Sequence, residues 1–242
     1  MVSMTDSKSR DFSALYIPGA IVLAGLIIGA CLIVALKPGG TGTATGGKAA
    51  AVNIKDVNIK GDPYIGKENA PVVLAYWSDY QCPFCKAVEM GHPQIPIDPP
   101  FPKLIAEYID TGKLKIVFKD YPFLSEDSDT AALYGRAVWE LYPAKYWEWR
   151  EAVFGAQDEE HGGFGDEASI VKLSGTIAGI NAQALKAKVA EKKDAYTAAI
   201  QADRAEGAKF GINGTPGFIT GKILLPGAVG FDEFKAAIDE QL

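Results

Sequence analysis

The sequence predicts an α/β domain, a mixed central sheet with helices on both faces and a helical insertion, preceded by one transmembrane helix. Three observations predict it. Ala14 to Leu36 is an apolar run of 23 residues without a charge. Short runs rich in β-branched and aromatic residues flank a long block of helical pattern. A strand, helix, strand order early in that region favours a parallel pair with a right-handed crossover, and a late hairpin adds antiparallel strands.

As a helix at about 1.5 Å per residue, the apolar run reaches roughly 34 Å, enough for a hydrocarbon core about 30 Å thick. It has no polar face, which a buried core helix of this length would show. A cleaved secretory signal is the competing reading. Its apolar part is only about 7–15 residues long, whereas this run continues through Cys31 to Leu36 before Lys37 and Pro38. Gly29 and Ala30 ahead of Cys31 resemble a lipoprotein cleavage site, but apolar residues follow, and Cys31 reads as a small apolar residue inside the span. Lys8 and Arg10 precede the span, and Lys37 and Lys48 follow it, close to a tie under the positive-inside rule. Residues 1–13 are taken as a cytoplasmic tail, 14–36 as the anchor, and 37–51, rich in glycine, as a flexible linker to an external domain at 52–242.

The charge divides along the same boundary. Residues 1–51 carry four basic and two acidic side chains, and residues 52–242 carry 20 and 28. An acidic domain lacks the basic footprint of nucleic-acid binding. Along it, Val52 to Ile59 alternates imperfectly and reads as an edge strand; Gly61-Asp62-Pro63 is a turn. Val72 to Trp77 suits a strand buried on both faces. Pro83 to Met90 is a helix that Gly91 and Pro93 end. Five prolines between Pro93 and Pro102 predict irregular chain, followed by a helix from Lys103 to Asp110. Leu114 to Phe118 is a second strand. Helices are then expected from Ser128 or Asp129 to Leu141, from Ala144 to Ala156, from Glu167 to Ala178 and, capped by Asn181, from Ala182 to Lys209, giving an insertion over about 128–209. Gly217 to Thr220 and Ile223 to Leu225 flank a two-residue turn, and an amphipathic helix from Phe231 closes the chain.

The chemistry lies in two of the three cysteines. Cys82-Pro83-Phe84-Cys85 follows a strand and opens a helix. Pro83 fits the first helical position, where a missing N–H costs nothing, so Cys82 is the N-cap. There its thiolate faces the free N–H groups of Phe84 and Cys85 and the positive end of the helix dipole. Such sites pull cysteine pKa values from about 8.5 to about 3.5–7.5. Cys82 is therefore expected to be the exposed nucleophile, and Cys85, one turn in, the buried resolving thiol. A structural disulfide competes with this reading, but so short a loop gains little from closure. Half a zinc site also competes. Zinc needs four ligands, and only the distant His92 and His161 could add to the pair, so no metal is expected. Farther on, Gly211-Ile212-Asn213-Gly214-Thr215-Pro216-Gly217-Phe218 is either a plain turn before a strand or a functional loop, with Thr215-Pro216 a plausible cis bond.

Trp77 to Lys86, with Gly211 to Ile219 some 130 residues later, resembles the DsbA-like branch of the thioredoxin superfamily, most of all its membrane-anchored, BdbD-like members. Asp62 to Val73 and Phe118-Lys119-Asp120-Tyr121-Pro122 resemble that family's lead-in and third-strand segments. The resemblance implies a thioredoxin fold with a helical insertion. It implies catalysis of disulfide formation in reduced or misfolded exported proteins, at the cell membrane with the domain on the periplasmic or cell-surface side. The redox-active disulfide itself would be the working group, with no other cofactor, and a quinone-linked membrane partner would recharge it. By position, Cys82 and Cys85 are the catalytic pair, Pro83 and Phe84 meet the client, Thr215 hydrogen-bonds its extended backbone, and Pro216 is a cis proline opposite the disulfide. Two positions depart from the pattern. Relatives carry a glutamate six residues before the first cysteine, where this chain has Tyr76, leaving water, Asp79 or another group to take the Cys85 proton. Phe84 stands where DsbA has histidine. An isomerase or reductase, or a metal-delivery or protein-binding module on the same fold, are the alternatives to an oxidase.

Overall fold

The computed structural model describes residues 52–158 and 162–242. The tail, span and linker expected over residues 1–51 lie outside the described residues. Among the described residues no helix is long and apolar enough to cross a membrane.

Val72–Ser78 (β2) forms the middle of a five-stranded sheet. On one side it pairs in parallel with Leu114–Asp120 (β3), which pairs antiparallel with Tyr64–Gly66 (β1). On its other side it pairs antiparallel with Gly217–Thr220 (β4), which forms a hairpin with Ile223–Pro226 (β5). The order is β1-β3-β2-β4-β5. Successive side chains on a strand face opposite ways, so β2 supplies two cores. Val72, Leu74 and Tyr76 belong to the larger one, with Val88, Phe101, Phe118, Phe218 and Phe234. Ala75 and Trp77 belong to the smaller one, with Val57, Phe210, Ile212 and Ile219. An apolar strand without alternation is what two covered faces require.

Pro83–Met90 (α1), Pro100–Leu104 (α2) and the closing Phe231–Asp239 (α7) contribute to the larger core. Between β3 and β4 stand Glu126–Leu141 (α3), Tyr146–Ala156 (α4), Glu167–Ser174 (α5) and Ala182–Lys209 (α6), the helical insertion. Asn181 caps α6 by accepting from the Gln183 and Ala184 amides, as its side chain predicts. The end of α6 returns to the sheet. The Trp77 indole N–H donates to the Asp203 carbonyl at 2.9 Å. Gly207 lets the helix approach, because a Cβ there would lie 2.9 Å from the rigid Trp77 ring.

Three local expectations need correction. Residues 52–59 form no strand. Ile54–Asp56 is a 3₁₀ turn capped by Asn53, and Val57 packs into the smaller core as a pad rather than a ladder rung. The edge strand is instead the three-residue β1, too short to alternate visibly. The proline-rich stretch turns helical at Pro100, not Lys103, since Pro at a first helical turn removes no needed donor; the helix then widens into a π turn over Ile105–Ile109. Finally, α3 starts at Glu126 under a Ser125 cap, and Glu126, Asp127 and Asp129 place acid at the positive end of the helix.

Candidate active site

The parallel β2–β3 pair sends the chain out of the sheet at Ser78, and the antiparallel pairing of Gly217 with Trp77 brings the loop before β4 to the same end. Two segments 130 residues apart in sequence thereby meet. A buried carboxylate shapes the turn between them. Asp79 accepts from the Gln81 amide at 2.8 Å and from the Phe123 amide at 2.9 Å, and its carbonyl accepts from the Cys82 amide. Burial raises its pKa, while these amides oppose the rise. With its oxygens so committed, Asp79 positions the loop rather than receiving a thiol proton.

Cys82 is the N-cap of α1, Pro83 follows at the first helical position, and both cysteines are free thiols. The Cys82 Sγ donates to the Thr215 carbonyl at 3.4 Å, and the Thr215–Pro216 peptide is cis. Cys82 is 4% exposed, a correction to the open position expected from the sequence, because the Thr215 loop lies against its sulfur. Cys85 is fully enclosed. The side chain that does reach solvent is Phe84, half exposed; Pro83 and Thr215 are partly buried, and Pro216 is buried beneath the loop.

The two sulfurs hold protons very differently. The Cys82 pKa falls to about 7, first through the hydrogen bond from Cys85, against the cost of burial, then through Thr215 and the Cys85 and Phe84 amides. Neither amide makes a capping hydrogen bond to the sulfur, so this contribution is electrostatic rather than the direct cap expected. The Thr215 hydroxyl acts in the same way, since it is buried and has no hydrogen-bond partner of normal geometry. Burial pushes the Cys85 thiol well up, and the neighbouring Cys82 adds to the rise.

The insertion completes the site with residues that sequence reading passed over. Gln157, at the end of α4, donates to the Tyr80 carbonyl at 2.8 Å, and its own carbonyl accepts from Lys86 Nζ at 3.1 Å. Beneath α1, Arg150 grips Glu89 through two nitrogens, Nε to Oε2 at 2.9 Å and Nη2 to Oε1 at 2.6 Å, and also donates to Ser78 Oγ at 2.7 Å. Both ions are buried. The guanidinium lies among the Tyr76, Tyr80, Phe118 and Phe154 rings at 4.3 to 5.3 Å. One signal for this pair was readable: Glu89 stands four residues after Cys85, hence on the same buried face of α1. No local pattern pointed to Arg150. A groove beside α1 is lined by Pro83 and Lys86 together with His92 and Pro93 of the proline-rich stretch.

A sulfur that caps a helix against a cis-proline loop, paired with an enclosed second thiol, suits disulfide exchange better than bracing the chain. Fold and site together define a thiol–disulfide oxidoreductase. Residues 58–240 match the family model described as Thioredoxin. The chain belongs to that family. It is 27% identical over 185 residues to Disulfide bond formation protein D of Bacillus subtilis (strain 168), covering 76% of this chain and 79% of that protein. The crystal structure of oxidised BdbD from Bacillus subtilis superposes with a TM-score of 0.66 at 27% identity, over 76% of this chain and 94% of that one. The thiol–disulfide exchange protein α-DsbA2 from Wolbachia pipientis gives 0.62 at 29% identity, over 74% and 86%.

Proposed function

We propose that this chain is a membrane-tethered oxidase that introduces disulfides into exported proteins. Residues 14–36 anchor it, residues 37–51 give the domain reach, and residues 52–242 work on the outer side. The client thiolate attacks Cys82 Sγ of the oxidised pair, and Cys85 leaves with the bond's electrons. A second client thiolate then attacks the client sulfur joined to Cys82. The client disulfide forms, and Cys82 departs as a thiolate. Thr215 and Pro216 hold the client as an extended strand, and Pro83 and the exposed Phe84 give it an apolar contact. A quinone-linked membrane partner restores the disulfide.

The single observation that carries this reading is the placement of Cys82, which caps α1 against the cis Thr215–Pro216 loop with Cys85 enclosed behind it. A sulfur at about 7 is a good leaving group at neutral pH. Stabilising its thiolate also stabilises the reduced protein, which makes the disulfide a stronger oxidant. An acidic first cysteine is shared by reductants such as thioredoxin (about 7) and oxidants such as DsbA (about 3.5); the names of the Bacillus relatives favour the oxidising direction. The test uses the full chain in detergent or membranes. It should oxidise a reduced, unfolded substrate, with a reduction potential above the roughly −270 mV of thioredoxin. A potential at or below that figure, with net reduction of a substrate disulfide, would establish a reductase instead.

A further inference from the structure

We infer that Glu89, acting through the Tyr76 hydroxyl, takes and returns the proton of Cys85, in place of an acid on the strand. This inference rests on thiol exchange at the Cys82–Cys85 pair.

Tyr76 is fully buried on β2, and its hydroxyl has no hydrogen-bond partner of normal geometry. A buried hydroxyl left so is costly and calls for a reason. Tyr76 packs in the same core cluster as Cys85, and the Arg150 guanidinium that holds Glu89 lies 5.3 Å from the Tyr76 ring; beyond burial, the thiol and the carboxylate both raise the Tyr76 pKa. Cys85 and Glu89 share one face of α1, and Tyr76 faces them from the sheet. Arg150 keeps Glu89 in place from the far side. The remaining polar neighbours are accounted for. Ser78 is occupied by Arg150, and Tyr80 and Tyr146 bond each other at 3.2 Å. Asp79 is held by amides. Asp120 and Glu151 act only as charges at a distance, on the tyrosines and on Glu89 respectively. Glu89 is therefore the acid best placed to serve Cys85. Burial raises its pKa despite Arg150, bringing it nearer to a thiol's proton affinity.

When a mixed disulfide on Cys82 resolves, the Cys85 S–H bond breaks and the proton passes to Tyr76 Oη, which releases its own to Glu89. The Cys85 sulfur attacks Cys82 Sγ, and the new S–S bond forms as the bond to the partner breaks. The partner sulfur leaves with the electron pair, reduced, while Cys85 is oxidised. In the opposite direction the same groups protonate Cys85 as it leaves. In this relay Tyr76 serves the reacting sulfur; Glu89, working through it, is a positioning residue.

The test loads Cys82 of the full chain with the chromophoric thiol of an aromatic disulfide reagent and follows its release by Cys85 across pH. Tyr76→Phe removes only the unpartnered hydroxyl, so it should fold with unreduced stability. Its release should slow roughly a hundredfold at neutral pH, with the pH profile displaced upward and Cys82 alkylation unchanged. Glu89→Gln should show the same displacement wherever it folds. A stable Tyr76→Phe variant with the wild-type rate and profile would overturn the relay. A folded Glu89→Gln variant with wild-type behaviour would remove Glu89 from it. Failure of the wild-type chain to load at Cys82 would instead refute thiol exchange itself.

Discussion

Replacing Cys82 by serine is expected to abolish exchange, lowering the rate on the order of a thousandfold or more, to the uncatalysed level. A hydroxyl in that position does not ionise near neutrality, and no second cysteine among the described residues is reachable, since Cys85 is fully enclosed. Replacing Cys85 by serine should have a different signature. Cys82 still exchanges with a client but nothing resolves the product, so mixed disulfides accumulate. Electrophoresis without reductant separates the two outcomes: no adduct for Cys82→Ser, a persistent one for Cys85→Ser. Equal behaviour of the two variants would mean that the sulfurs are not differentiated as their burial and acidity require.

The second large effect lies away from the sulfurs. Arg150→Leu should cost about 3–5 kcal/mol, because it leaves the buried Glu89 carboxylate without its counter-ion. The sign of the pH dependence follows. Burial already raises the Glu89 pKa, and losing Arg150 raises it further. The folded variant then binds a proton that the unfolded chain releases above the ordinary glutamate range, so its stability falls as pH rises. Urea denaturation should show a deficit that grows from mildly acidic to alkaline pH, and Glu89→Leu in the same chain should recover much of it. A small deficit, flat with pH, would mean that the pair is not desolvated as its enclosure implies.

Much of this was legible before any coordinates. Val72 to Trp77 lacks alternation because both faces are covered, and the helix from Pro83 to Met90 announces itself through a proline at its start and a glycine at its end. The hairpin around Gly221 and the cap at Asn181 follow from turn and cap chemistry alone. What escaped depends on contacts distant in sequence. Residues 52–59 carry a plausible strand pattern, but the sheet takes its edge from Tyr64 to Gly66, and only packing against Trp77 and Phe210 explains the apolar side chains before it. In the site, the cysteines and the Thr215-Pro216 loop were readable as motifs. The depth at which Cys82 lies was not, because the loop lying against it comes from the far end of the domain. Arg150 was invisible for the same reason: on α4 it sits between Glu148 and Glu151 with no local pattern to mark it, and only docking of the insertion sets it over Glu89.

The central claim is that the start of α1 and its neighbours make Cys82 acidic while burial keeps Cys85 protonated. Titrating the reduced full chain by the rate of alkylation, with the modified cysteine identified, tests this most directly. Reaction at Cys82 rising through a midpoint near pH 7, with Cys85 unmodified until far more alkaline pH, is the expected result. A Cys82 midpoint at the free-thiol value of about 8.5, or first modification at Cys85, would contradict it.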